Sequence, residues 1–244
     1  MIDFGLLLSM LAVVGVPTLL QRRWPLRTAD GASFTDLAVI AIIAGVIVGR
    51  IVSVAVESPG SLGRVGDLLI IRSGVDFWPG AVAGLAVLWW DARRVGVSLV
   101  DRLADLAPLG LMAYAAYEAC CLFRDGCFGP VSAFGLRPPG VATAMVPIGL
   151  IVAAAVVGLA LIVRRADGGG WGAPTVVVGA VAGVAVVRSV ASIWLPHVGD
   201  GLTRHHWLSI AVAAVAVPVA TMLVLRHRAS AGSDTAPVGG EGAQ

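Results

Sequence analysis

Residues 74–129 read GVDFWPGAVAGLAVLWWDARRVGVSLVDRLADLAPLGLMAYAAYEACCLFRDGCFG. Two apolar runs flank an arginine-bearing turn. The second run closes on Tyr117-Glu118-Ala119-Cys120-Cys121, and then on Phe123-Arg124-Asp125-Gly126-Cys127-Phe128-Gly129. A carboxylate, three thiols and two glycines crowd the end of one apolar helix. That is where chemistry is expected.

The rest of the chain repeats the apolar pattern. Of its 244 residues, 58% are hydrophobic and only 13% charged, where a soluble domain carries about a quarter charged residues. The apolar residues come in runs of about 20, the length that crosses a bilayer core. The fold class is therefore all-α, a polytopic integral membrane protein. All 17 cations are arginine, and the net charge of +2 is no signal for nucleic acid, which is not expected as a partner.

Working outward, seven spans are expected: Ile2–Leu20, Thr35–Val56, Val75–Trp90, Arg102–Leu122, Val141–Val163, Pro174–Leu195 and His206–Leu225. Loops are expected at Glu57–Arg72, Asp91–Asp101, Phe123–Gly140, Arg164–Gly172 and Pro196–His205. The seven spans form one domain, residues 1–226, and residues 227–244 read as a disordered polar tail. No cation precedes the first run, whereas Arg22, Arg23 and Arg27 follow it. That reverses the charge order of a signal peptide, so the run reads as a first membrane helix.

With seven spans, alternate loops fall on opposite sides. Arg22, Arg23, Arg27, Arg93, Arg94, Arg102, Arg164, Arg165, Arg226 and Arg228 fall on one side. Arg64, Arg72, Arg124, Arg137 and Arg204 fall on the other. The positive-inside bias predicts an outside N-terminus and a cytoplasmic C-terminus. The Glu/Cys end of the fourth span then faces outward. The pairs Gly45/Gly49, Gly80/Gly84 and Gly179/Gly183 have the spacing that lets helix backbones approach closely.

Three ionisable residues fall inside apolar spans: Arg50, Glu118 and Arg188. Each costs at least ~2.5 kcal/mol at a helix centre. At 1.5 Å per residue they lie roughly 6–10 Å below the outer surface, in one leaflet. The economical arrangement is a buried cluster with Glu118 between the arginines. It serves either as a salt-bridge lock between helices or as an arginine-lined pocket for an anionic headgroup. Cys121 and Cys127 could close a small disulfide loop on an outer face, or remain, with Cys120, inert core thiols. The spacing suits no metal site, and no cofactor is implied. Asp76 opens the third span on the same side. His197, His205 and His206 gather at the last outer loop, beside Trp194 and Trp207. Asp76 or one of these histidines is a candidate general base; the plainer reading of the histidines is interfacial side chains. Trp78, Trp89, Trp90 and Trp171 read as interfacial anchors.

These residues carry a resemblance to the prolipoprotein diacylglyceryl transferases. Tyr117–Gly129 resembles the Gly/Cys-rich stretch that follows the family's fourth helix, with Cys121, Cys127 and Gly129 in register and Phe128 where tyrosine is usual. Ser73–Gly80 resembles the family element before the third helix, and Trp89–Ser98 its basic turn into the fourth. Gly49-Arg50 is similar to a Gly/Arg pair in helix two, Arg188 to a functional arginine of helix six, and His206–Ile210 to the entry of the last helix. Two positions depart from the pattern. Trp78 stands where the family has histidine, and Glu118 where it has the arginine of a Gly-Arg signature.

The resemblance implies seven helices and an outer-leaflet reaction. The diacylglyceryl group of phosphatidylglycerol moves to the cysteine of a lipobox-bearing prolipoprotein, releasing glycerol phosphate. On that reading Asp76, Glu118 and Arg188 are the catalytic candidates. Arg50, Arg188 and Gly129 are the substrate-binding ones, at the plasma membrane. The alternatives are a non-catalytic lipid-binding relative and, with less support, a small-molecule transporter.

Overall fold

A computed structural model describes residues 4–28, 33–57, 59–61, 76–123, 127–138, 141–195 and 204–233. Ser73–Val75, Arg64, Arg72, Arg124 and His197, singled out above, lie outside the described residues, as does the tail from residue 234 onward.

The fold is all-α. Among the described residues the long helices are seven: α1 (Phe4–Gln21), α2 (Phe34–Glu57), α3 (Phe77–Val95), α4 (Leu99–Ala119), α5 (Ile148–Gly168), α6 (Ala173–Ala191) and α7 (Arg204–Ser233). Among the described residues, five stretches are long and apolar enough to cross a membrane: Phe34–Val56, Leu99–Phe123, Ile148–Gly168, Ala173–Ala191 and His206–Ala229. The apolar part of α1, Leu7–Gln21, is shorter. Helix α3 carries Asp91, Arg93 and Arg94 within its last turns. The chain is a polytopic membrane protein.

Three boundaries differ from the sequence expectation. The turn between α3 and α4 is only residues 96–98. Gly96 takes φ 77° and its N–H bonds to the Ala92 carbonyl, the left-handed C-terminal cap that glycine permits. Ser98 caps α4, its hydroxyl accepting from the Asp101 N–H at 3.1 Å. Helix α5 begins at Ile148 rather than Val141. Residues 144–146 are tied instead to the short strand β1 (Val131–Leu136), through Ser132 N–H to the Ala144 carbonyl (3.0 Å) and Val146 N–H to the Pro130 carbonyl (3.0 Å). Pro147 holds the residue before it extended, so the helix cannot start earlier. Helix α7 does not stop near Arg226 but continues to Ser233.

Helix α4 is the hub. Ala104, Leu111 and Ala115 pack with Val152, Val156 and Ala160 of α5 and Val176 and Ala180 of α6. On its other side Leu106, Leu109 and Ala113 meet Phe34 and Leu37 of α2 and Val13 and Leu20 of α1. Helices α2 and α3 touch backbone to backbone: a Cβ on Gly45 would sit 3.0 Å from the Gly80 carbonyl oxygen, and one on Gly80 2.8 Å from that of Gly45. Such closeness supplies the van der Waals contact on which association in lipid depends. Gly183 packs against Leu159, whereas Gly179 meets nothing within 4 Å. Large apolar side chains such as Ile40, Ile43, Ile47, Val215 and Leu225 remain on the outside, as a lipid-facing surface requires.

The end of the bundle where α1, α3 and α5 finish is closed by a polar knot. Arg102 is 0% exposed. Its Nη2 lies 3.1 Å from Asp91 Oδ2, and its Nη1 donates to the Thr28 carbonyl (2.7 Å) and hydroxyl (2.6 Å). The Thr28 hydroxyl donates onward to Asp105 (2.7 Å), which also accepts the Arg27 and Thr28 N–H groups at 3.0 Å. Asp167 of α5 pairs with Arg27 and with Arg164. Arg102, counted above among the loop arginines, is thus an interior residue. Its charge is spent on Asp91 and is not free to orient the chain.

Candidate functional site

The opposite end gathers the ends of α2, α4 and α6 with the starts of α3, α5 and α7. Two glycines let it close tightly. Helix α4 runs into a 3-10 turn, Cys120–Phe123, and Cys121 is joined to Cys127 as a disulfide with Cα atoms 5.6 Å apart. Gly149, in the first turn of α5, faces this corner; a Cβ there would come 2.5 Å from the Cys121 sulfur and 3.0 Å from the Glu118 carbonyl oxygen. Gly129 is buried likewise, and a Cβ on it would lie 2.7 Å from Ile148. Packing therefore accounts for glycine at position 129. Cys120 is a free, buried thiol near the Leu8 carbonyl of α1.

Against this wall stands Arg188, in the last turn of α6. Its Nη1 donates to the Tyr114 hydroxyl at 2.9 Å. Its guanidinium carbon lies 4.2 Å over the Phe77 ring and 5.9 Å from the Tyr114 ring. Its Nε is buried with no hydrogen-bond partner. Among the described residues no carboxylate lies within ion-pair distance of it. Trp78 stacks edge-on against Phe77 at 5.1 Å, and its indole Nε1 is also buried without a partner. Two N–H donors thus flank one phenylalanine ring, and neither has a protein acceptor. An unsatisfied buried donor costs about 1–3 kcal/mol. The physical requirement is for an acceptor, preferably anionic.

On the Arg188 side, a direct bridge to Glu118 is replaced by a contact through tyrosine. Tyr114 intervenes: Glu118 lies one helical turn after it, and the Tyr114 hydroxyl interacts with both Arg188 and Glu118. The phenol is a neutral partner, so Arg188 keeps its charge available. Sequence reasoning missed Tyr114. Its signal was the Tyr-x-x-x-Glu spacing, which puts both side chains on one helix face.

Arg50 is 6% exposed and Asp76 2% exposed. Their segments meet where the Asp76 N–H donates to the Gly49 carbonyl at 3.2 Å. Asp76 precedes α3 at the N-cap position, but its side chain makes no cap bond. The first turn of α3 therefore separates two groups. The Asp76 backbone meets the Gly49-Arg50 segment of α2, while the Phe77 ring lies against Tyr114 of α4 and Arg188 of α6 and the Trp78 ring against Phe77.

Of His197, His205 and His206, the last is placed. It is 4% exposed, and its Nδ1 lies 2.6 Å from the Ser192 hydroxyl. Trp194 and Trp207 are about half exposed (49% and 59%), as interfacial side chains would be. The side chain of His205 is outside the described residues. Among the described residues, no three His, Cys, Asp or Glu side chains converge as metal ligands do.

A family profile described as prolipoprotein diacylglyceryl transferase matches residues 3–222. The phosphatidylglycerol–prolipoprotein diacylglyceryl transferase of Rhodococcus jostii (strain RHA1) is 28% identical over 113 residues. That match covers 45% of this chain and 32% of the relative, so the shared region is about a third of the relative's length. The profile takes in every helix from α1 to the body of α7, including each residue around Arg188 described above. The chain belongs to the prolipoprotein diacylglyceryl transferase family.

Proposed function

We propose that this protein transfers the diacylglyceryl group of phosphatidylglycerol to the thiol of a lipobox cysteine. The site would lie in the outer leaflet of the plasma membrane, with the N-terminus outside. One observation carries the reading: Arg188, partly buried at a helix end with its Nε enclosed, has a phenol and an aromatic ring for company and, among the described residues, no carboxylate. A lipid phosphodiester is the anion that a membrane supplies at that depth. The Arg188 and Trp78 donors converge on its oxygens, and Arg50 provides a second cation on the α2 side. As the thiolate sulfur bonds to the glyceryl carbon, the carbon–oxygen bond to phosphate breaks. Charge then grows on the departing glycerol phosphate, where guanidinium donors stabilise it most. Glu118, acting through Tyr114, orients Arg188. Family membership and the similarity to the Rhodococcus transferase support this reading.

The test is transfer by the purified protein in phosphatidylglycerol micelles to a lipobox peptide. The expected result is a peptide heavier by one diacylglyceryl group, with one glycerol phosphate released for each. A peptide left unmodified beside an active family enzyme as control would overturn the transferase reading. A second reading, lipid binding without catalysis, is favoured by Trp78 and Glu118 at positions where the family pattern has histidine and arginine. It predicts saturable binding of anionic lipid, lost in Arg188→Ala, with no product.

A further inference from the structure

We propose that His206, oriented by Ser192, is the general base that takes the proton of the incoming thiol. This rests on the transferase reading above. The argument begins with one hydroxyl hydrogen. Ser192 Oγ lies 3.1 Å from the Ser189 carbonyl oxygen and 2.6 Å from His206 Nδ1. A carbonyl oxygen only accepts, so the single hydroxyl hydrogen is committed to Ser189. The ring nitrogen must then be the donor, which places the proton of the neutral imidazole on Nδ1. The lone pair is left on Nε2. The arrangement is the one that makes histidine a base: a second group holds one nitrogen protonated and aims the other.

Its position suits the reaction. Ser192 follows Arg188 by four residues, one turn further along α6, on the same helix face. The Ser192 N–H donates to the Arg188 carbonyl at 2.9 Å. An arginine side chain on a helix leans toward its N-terminus, so the guanidinium lies deeper in the membrane than the imidazole. A lipid phosphate held by Arg188 would thus have the base on its outer side, where a peptide thiol arrives from water. Among the described residues His206 makes no hydrogen bond besides that to Ser192. Arg188 is the charged side chain on α6, the helix that α7 packs against, and on α7 itself Trp207 stands edge-on to the imidazole at 6.0 Å. Trp78 cannot serve, because an indole has no basic nitrogen.

The step balances. The thiol proton passes to Nε2 and the sulfur electron pair forms the bond to the glyceryl carbon. The carbon–oxygen electrons leave with glycerol phosphate, and the imidazolium then loses its proton to water. No oxidant or metal is needed.

The experiment compares the unaltered protein with His206→Ala and Ser192→Ala in the micellar transfer assay, across pH, with lipid binding measured alongside. General-base catalysis is worth about 10²–10⁴-fold, so His206→Ala should lower kcat/KM by at least 100-fold with lipid affinity unchanged. Added imidazoles should restore turnover in proportion to their basicity. Ser192→Ala should lower kcat by roughly ten-fold and shift the acid limb of the pH profile, which a merely structural serine would not do. Full activity of His206→Ala, or loss that no imidazole restores while lipid binding falls in parallel, would overturn the assignment. No transfer by the unaltered protein would overturn the transferase reading itself and this base with it.

Discussion

Each end of this bundle holds an arginine between its helices, one fully enclosed and one partly buried, and they treat it differently. At one end Arg102 is fully enclosed, paired with Asp91 and bonded twice to Thr28. Its partners are satisfied in turn, since Thr28 donates to Asp105 and Asp105 accepts backbone N–H groups. At the other end Arg188 makes, among the described residues, one side-chain hydrogen bond, to a phenol, and its buried Nε has no acceptor. The first arrangement is complete without a ligand. The second is not. A fully satisfied charge network holds helices in register, whereas an unsatisfied one is kept at a cost that only binding offsets. The contrast separates structure from function without reference to relatives.

The largest effect belongs to the closed end. Arg102→Met should strand Asp91 and Thr28 and cost about 3–5 kcal/mol of stability, the usual consequence of removing one member of a buried pair. Denaturant unfolding in detergent would show it. The double change Arg102→Met with Asp91→Leu should recover most of that loss, because a buried pair is often replaceable by apolar side chains. Recovery of stability with unchanged transfer would place the knot outside the chemistry. A double variant that folds but no longer turns over would break the comparison.

Next comes the open end. Arg188→Met should reduce kcat/KM by about 10²–10³-fold, the effect of losing one preorganised donor to developing charge. The unfolding transition should hold or rise, because a buried donor without an acceptor has been removed. A fall in stability like that of Arg102→Met would mean that both ends are locks.

The comparison also shows what was legible in the sequence. Runs of about 20 apolar residues suffice to place a helix, because lipid leaves the backbone no alternative. Gly96 and Ser98 together mark a tight turn, although a loop of Asp91–Asp101 is the natural reading when charges are weighed before caps. Arg50, Glu118 and Arg188 stood out because ionisable residues in apolar runs are expensive. Their mutual arrangement did not. Tyrosine in such a helix reads as an interfacial ring; its spacing to Glu118 was the one mark on Tyr114, and it pointed to Glu118 but not to Arg188 on another helix. Arg102 misled in the opposite sense. An arginine beside a charged turn looks like a cytoplasmic loop residue, and only the fold brings Thr28 onto it, from 74 positions away. A separation of 14 positions, across a connection of unread geometry, likewise hid the pairing of Ser192 with His206.

A third substitution would convert one end into the other. Tyr114→Glu places a carboxylate where Arg188 now meets a phenol. If the charge is what binds lipid phosphate, this neutralised pair should lose affinity for phosphatidylglycerol by roughly 10–100-fold, the worth of one charge-assisted hydrogen bond of about 1.5–3 kcal/mol. Vesicle flotation across lipid compositions reads it directly. Affinity retained in that variant would move the phosphate site to Arg50.

The smallest effect concerns Trp78, and it is the most discriminating. The indole does two things: its ring packs on Phe77, and its Nε1–H waits for an acceptor. Trp78→Phe keeps most of the ring and removes only the donor. If the donor serves the lipid phosphate, KM for phosphatidylglycerol should rise by up to about ten-fold, matching a neutral hydrogen bond of 0.5–1.5 kcal/mol. Stability should improve slightly, since an unsatisfied buried polar group has gone. If Trp78 is only an interfacial anchor, KM stays fixed and stability falls with the lost ring area. The two readings thus predict opposite signs for stability and different responses of KM. The same variant also tests the comparison itself, because a donor at the closed end, such as Thr28, could not be removed without cost to the fold.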